Sequence, residues 1–212
     1  MPMQLFISCP VMREIIAILR GVRPSECLQV TDVLLNAGIQ KIEVPLNSPD
    51  PFESIAKMSN TFGADAIIGA GTVLTADDVT RLSDIGAQMV VSPDCNPDVI
   101  KASKAASMLS YPGCFSATEC FTALRSGADG LKIFPSFLIG PKGIAALRAV
   151  LPPETAIYAV GGVAPDNFLE WFKAGVTGFG LGTNLYSPDL DLNTIMARAE
   201  SAVKAYDKVT ER

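Results

Sequence analysis

The six residues Gly130-Leu131-Lys132-Ile133-Phe134-Pro135 set an amine inside an apolar run of strand character. Burying Lys132 as an ammonium is costly, because desolvation disfavours the charged form and drives the pKa down. That cost makes a nucleophile. An unprotonated lysine attacks a carbonyl carbon and forms a Schiff base, which withdraws electrons from the attached carbon skeleton. On this hexapeptide alone a second reading stands beside the first. Lys132 snorkels from an edge strand or only pairs with a phosphate, since apolar-flanked lysines are common and mostly solvated.

Composition narrows the chemistry. The chain has 212 residues, enough for one sizeable core, and 49% of them are apolar. No apolar run approaches the ~20 residues of a membrane span, so a heavily buried globule away from the membrane is expected. The net charge of -5 lacks the basic stripe of a nucleic-acid surface. Any anionic ligand must then be held by local donors. Five scattered cysteines without a Cys-x-x-Cys pair fit reduced thiols in the cytoplasm better than a disulfide framework. Residues 1–10 show no export signal. There is no histidine, which removes the commonest zinc ligand, the commonest general base and every His-dependent triad. A carboxylate-only magnesium site stays open in principle, although no Asp/Glu cluster marks one, and no metal or cofactor is expected.

The frame around Lys132 is a repeat. Ile15 to Gly21, Lys41 to Leu46, Ala66 to Val73, Met89 to Pro93, Met108 to Tyr111, Gly130 to Pro135, Thr155 to Gly162 and Gly178 to Thr183 read as strands. Helical spacing follows each one: Ser25 to Asn36, Pro51 to Asn60, a segment opened by Thr75, Pro97 to Ala106, a segment opened by Ser116, Gly143 to Leu151, a segment from Ala164-Pro165-Asp166-Asn167, and Leu192 to Tyr206. Eight strand-then-helix units at a repeat of about 23 residues predict a compact α/β (β/α)8 TIM barrel. A doubly wound open sheet is the alternative, but its usual Gly-rich fingerprint is replaced after the first strand by Arg20-Gly21-Val22-Arg23. Nothing marks a boundary, so one domain over 1–212 is expected, with a short lead over 1–13.

In such barrels chemistry sits at the C-terminal strand ends. The residues hardest to explain as packing gather there: Arg20, Glu43, Asn47, Thr72, Pro93, Pro112, Lys132, Phe134, Gly161, Gly162 and Thr183. Alternation places Glu43 on a face with Lys41 and Pro45, and Lys132 with Phe134. If both faces point inward, a carboxylate and an amine share one barrel mouth. Otherwise Glu43 is a surface charge at a strand end. Val160-Gly161-Gly162-Val163 and Gly180-Leu181-Gly182-Thr183-Asn184 follow the last two strands, where barrels often bind phosphate with backbone N–H groups. The turn at Gly69-Ala70-Gly71-Thr72 suits the other end of a ligand, where Thr72 and Arg20 could hold a carboxylate.

Ile16-Ala17-Ile18-Leu19-Arg20-Gly21, Ile42-Glu43-Val44-Pro45-Leu46-Asn47-Ser48-Pro49, Ile68-Gly69-Ala70-Gly71-Thr72-Val73-Leu74, Tyr111-Pro112-Gly113-Cys114, Leu131 to Pro135 and Ala159-Val160-Gly161-Gly162-Val163 together resemble the 2-keto-3-deoxy-6-phosphogluconate/6-phosphogalactonate class I aldolases. The likeness runs from about residue 13 to about residue 187. It implies a cofactor-free (β/α)8 homotrimer that cleaves a phosphorylated 2-keto-3-deoxy sugar acid to pyruvate and glyceraldehyde 3-phosphate. It further implies Lys132 as the Schiff-base lysine, Glu43 as general acid/base, Arg20 and Thr72 at the pyruvate carboxylate, and Gly161, Gly162, Gly182 and Thr183 at the phosphate. Pro93, Pro112 and Phe134 would line the pocket. Asn47 and Val160 stand where gluconate-type members usually carry arginine and threonine, and both resemble the galactonate branch. A lost hydroxyl contact is worth roughly 1–3 kcal/mol, enough for a preference between C4 epimers and not for exclusion of the gluconate. An isomerase or epimerase with Glu43 as base, and a non-catalytic sugar-phosphate sensor, are the rival functions on the same scaffold.

Overall fold

Apolar runs bounded by glycine, proline and polar turns become strands, and the amphipathic stretches between them become helices, in the computed structural model, which describes residues 12–211. The strands are β1 (Ile15–Ile18), β2 (Lys41–Pro45), β3 (Ile67–Gly71), β4 (Met89–Val91), β5 (Leu109–Tyr111), β6 (Gly113–Cys114), β7 (Leu131–Ile133), β8 (Ile157–Val160) and β9 (Gly178–Leu181). The helices are α1 (Cys27–Ala37), α2 (Pro51–Phe62), α3 (Ala76–Asp84), α4 (Pro97–Ala105), α5 (Ala117–Arg125), α6 (Ser136–Arg148), α7 (Phe168–Lys173) and α8 (Leu192–Thr210). The expected lead over 1–13 lies outside the described residues apart from Met12 and Arg13.

Every pairing is parallel, in the order β5-β4-β3-β2-β1-β9-β8-β7-β6. The two ends of that order are neighbours in the chain, separated only by Pro112. Ser92 N–H donates to the Tyr111 carbonyl at 3.2 Å on one side, and Lys132 N–H donates to the Pro112 carbonyl at 2.9 Å on the other. The sheet is therefore closed into the expected TIM-type barrel. The fifth unit's strand is split because proline has no N–H to give the ladder.

The pleat sorts side chains into two cores. Ala17, Ile42, Ala70 and Ile133 pack outward beneath the helices. Ile16, Met89, Val91, Tyr111 and Tyr158 fill the barrel interior. Local chemistry sets the helix starts: Thr75 accepts from Asp78 N–H, and Ser116 with Glu119 forms a reciprocal capping box. One boundary differs from expectation. The helix expected over Gly143 to Leu151 begins at Ser136 and is interrupted at Gly140, whose φ of 67° is non-helical, before restarting at Pro141. Its first turn exposes Phe137 (60%) and Leu138 (65%), so no inward apolar stripe announces it. Among the described residues no helix is long and apolar enough to cross a membrane.

Below the mouth the barrel is plugged by a polar cluster. Lys41 is 5% exposed; its ammonium pairs with the Glu14 carboxylate, and the Tyr158 hydroxyl donates to the same carboxylate oxygen. Burial, then Tyr111 and Glu14, push the Tyr158 hydroxyl pKa up, which keeps its proton available for donation. The Tyr111 and Tyr158 rings meet edge to face at 5.0 Å. Breaking a buried pair by removing one partner strands the other charge. Lys41→Ala is expected to lower the urea unfolding free energy by about 3 kcal/mol, whereas Lys41→Met combined with Glu14→Gln costs clearly less. Equal losses in the two variants would refute the pairing as the cause.

Candidate active site

A cavity of about 600 Å³ opens at the C-terminal ends of the strands. It brings together Arg20, Glu43, Thr72, Pro93, Lys132, Phe134, Val160, Gly161, Gly162, Gly182 and Thr183 from across the sequence. Two expected residues do not line it. Asn47 reaches it only by accepting a hydrogen bond from the Arg20 guanidinium. Pro112 is buried in the barrel wall, where its carbonyl takes the Lys132 N–H.

Both interior charges are inward on their strands, as alternation requires. Glu43 is 2% exposed and Lys132 is 7% exposed. Burial pushes the Glu43 carboxyl up to about 7, with the Lys132 and Arg20 cations pulling the other way. Burial likewise lowers the Lys132 pKa; Glu43 opposes that shift and Arg20 adds to it. The result is a weakened ammonium beside a carboxyl that titrates near neutrality. One oxygen, Glu43 Oε2, is buried with no hydrogen-bond partner among the described residues, leaving an acceptor for a ligand. Lys132 Nζ lies 4.9 Å from the centroid of the Phe134 ring, whose π-face supports whatever positive charge the nitrogen carries.

Close approach explains the glycine opposite Glu43. A Cβ built on Gly71 would lie 2.0 Å from Glu43 Oε2, so only hydrogen fits beside the carboxylate. The next residue, Thr72, adopts φ 56°, a left-handed conformation that is uncommon for a branched side chain. Ser48 Oγ accepts from Gly21 N–H at 2.9 Å, tying together the loops that carry Arg20 and Asn47.

The opposite rim is made of main chain. Gly161 and Gly162 have φ of 89° and 76°, which L-residues with side chains rarely adopt. Three side chains grip the carbonyls of this turn: Ser136 Oγ donates to Gly161 O at 2.6 Å, Asn167 Nδ2 to Gly162 O at 3.0 Å, and Asn184 Nδ2 to Val163 O at 2.7 Å. In a trans peptide the N–H points opposite to the C=O. Ser136 and Asn167 lie outside the cavity lining, and their grip on these carbonyls fixes the orientation of the following amides of Gly162 and Val163. These donors are not evident as a set in the sequence, where serine and asparagine in loops read simply as turn chemistry. Cys114 packs behind the wall against Cys120 and Cys95. Among the described residues no group of three or more His, Cys, Asp or Glu side chains is arranged to hold a metal ion.

A family model described as KDPG and KHG aldolase matches residues 9–198. The chain is 46% identical over 200 residues, 94% of each chain, to a probable 2-dehydro-3-deoxy-6-phosphogalactonate aldolase of Rhizobium meliloti (strain 1021). It is 44% identical over 197 residues, 93% of this chain and 96% of the relative, to the 2-dehydro-3-deoxy-6-phosphogalactonate aldolase of Escherichia coli (strain K12). A solved structure described as native KDPGal superposes with a TM-score of 0.92 at 42% identity, covering 99% of this chain and 100% of that one.

Two outcomes follow from the buried pair. Gly71→Ala forces the Glu43 carboxylate aside and is expected to cost roughly 10²-fold in turnover of any substrate the pair acts on, with the barrel's circular dichroism unchanged. Lys132→Met removes a cation that pulls Glu43 down, so the carboxyl should titrate above about 7, read by 13C NMR of labelled glutamate. A carboxyl that still titrates at or below about 7 in that variant would contradict the coupling.

Proposed function

The chain belongs to the KDPG and KHG aldolase family, and from that premise we propose that it is a class I aldolase reversibly cleaving 2-dehydro-3-deoxy-6-phosphogalactonate to pyruvate and D-glyceraldehyde 3-phosphate. The observation that carries the reading is Lys132 and Glu43, both buried and both facing one cavity that Arg20, Thr72 and the glycine turns also line.

The neutral Lys132 amine adds to the C2 ketone, and loss of water leaves an iminium. Ionised Glu43, directly or through a water, takes the C4 hydroxyl proton. The electron pair of the C3–C4 bond moves toward the iminium, so the aldehyde leaves and an enamine remains. Glu43 returns the proton to C3, and water hydrolyses the new iminium to free pyruvate and the amine. Arg20, held by Asn47, and Thr72 bind the pyruvate carboxylate. Pro93 and Phe134 wall the reacting carbons. Gly161, Gly162, Gly182 and Thr183 receive the phosphate, with no cofactor or metal taking part in the proposed steps.

The names of the two curated relatives support the galactonate epimer, as do Asn47 and the apolar Val160 on the cavity wall. The gluconate epimer is expected as a slower substrate. A homotrimer is proposed with it: Phe134, Phe137 and Leu138 are exposed at the start of α6, an apolar surface that adjoins the cavity and suits a subunit contact. Cytoplasmic residence is proposed from the free thiols of Cys27, Cys95, Cys114 and Cys120.

Borohydride added with pyruvate should leave a reduced pyruvyl mark on Lys132, seen by peptide mass spectrometry, and Lys132→Ala should lose both mark and turnover. An isomerase would turn over substrate unmarked, and a sensor would do neither. Glu43→Gln should slow turnover roughly 10²–10⁴-fold while imine still forms. Because Glu43 must be ionised to accept the hydroxyl proton, kcat/KM should fall as pH drops below about 7, and that limb should vanish in Glu43→Gln. The galactonate over gluconate ratio of kcat/KM should be roughly 10- to 100-fold and should narrow in Val160→Thr. Faster cleavage of the gluconate by the unaltered chain would reverse the assignment.

A further inference from the structure

The rim built from Gly161-Gly162-Val163 and Gly182-Thr183-Asn184 has no cation of its own. The charged donors lining the cavity are Arg20 and Lys132; Arg20 is engaged with Asn47, and Lys132 faces Glu43 from the barrel interior. The chain carries a net charge of -5, so the overall field does not favour a phosphate dianion either. One guanidinium stands behind this rim. Arg198, on α8, donates from Nη1 to the Thr183 carbonyl at 3.2 Å. It lies outside the cavity and lines an outer recess with Asp166, Thr194 and Ser201, yet it makes no ion pair among the described residues.

We infer that Arg198 is a positioning residue for the substrate's phosphate, an inference that rests on the aldolase reading for the identity of that substrate. Gripping the Thr183 carbonyl from the outer side turns the N–H of the same peptide, that of Asn184, toward the cavity. Ser136 and Asn167 hold the carbonyls of the neighbouring turn in the same way, and here a full positive charge is added. The charge sits one peptide away from the anion and polarises the amide that meets it. Its charge also offsets part of the dianion's without touching it, screened by solvent at this exposed rim. A helix-surface arginine would otherwise be a solvated charge with no bearing on KM.

The test compares Arg198→Ala and Arg198→Lys with the unaltered chain, using inorganic phosphate as the probe and the 15N–1H signal of Asn184 as the reporter. Phosphate should shift the Asn184 amide, and its Kd should rise about tenfold in Arg198→Ala and less in Arg198→Lys. In turnover, KM for the phosphorylated substrate should rise by a similar factor with kcat within about twofold. KM for the unphosphorylated 2-keto-3-deoxy acid and the yield of borohydride-trapped pyruvate should stay unchanged. Equal phosphate affinity in Arg198→Ala overturns the inference, as does an equal loss on both substrates, which would mark a structural brace. Failure of pyruvate to form any imine overturns the aldolase reading instead, and leaves the phosphate titration to judge Arg198 by itself.

Discussion

Two opposite charges held in a place that wants neither are the constraint on which this molecule depends. Water would stabilise an ammonium at Lys132 and a carboxylate at Glu43; the barrel interior offers each chiefly the other. Desolvation pushes the amine toward its neutral form and the acid toward its protonated form, while mutual attraction pushes both back. Neither force wins outright: the Glu43 carboxyl is raised to about 7, and the Lys132 amine is held below its ordinary range. Complete burial without a partner would leave an inert amine and an inert acid. Full solvation would leave a permanently charged ion pair.

That balance requires a sealed, crowded barrel. Tyr111 and Tyr158 pack beneath the reacting pair, and Lys41 with Glu14 closes the bottom as a separate ion pair. Gly71 contributes by absence, because any side chain there would occupy the volume of the carboxylate. At the other end the proposed binding group is the backbone itself, whose carbonyls are held by Ser136, Asn167 and Arg198. On the proposed reading, one end of the ligand meets side chains and the other meets main chain.

Much of this is legible from residue order. A lysine and a glutamate at inward parity in apolar strands, and two glycine turns after the last two strands, announce themselves because each violates a local packing rule. The ring closure through Pro112 does not, since proline at a strand end reads as a stop and here continues the wall. The first turn of α6 is hidden because its apolar residues face outward. Ser136, Asn167 and Arg198 are ordinary loop or helix-surface residues until tertiary structure brings them to carbonyls that are 25, 5 and 15 residues away.

The plugged lower end has a kinetic meaning. The cavity opens at the C-terminal strand ends while Lys41 and Glu14 fill the lower end, so on the proposed mechanism whatever bonds to Lys132 arrives before, and departs after, whatever occupies the threshold. In the cleavage direction the phosphorylated aldehyde, proposed to sit at the glycine rim, then leaves first and the three-carbon keto acid last. Run backwards, the keto acid has to be loaded before the aldehyde, and an aldehyde that docks too early becomes a stopper rather than a reactant.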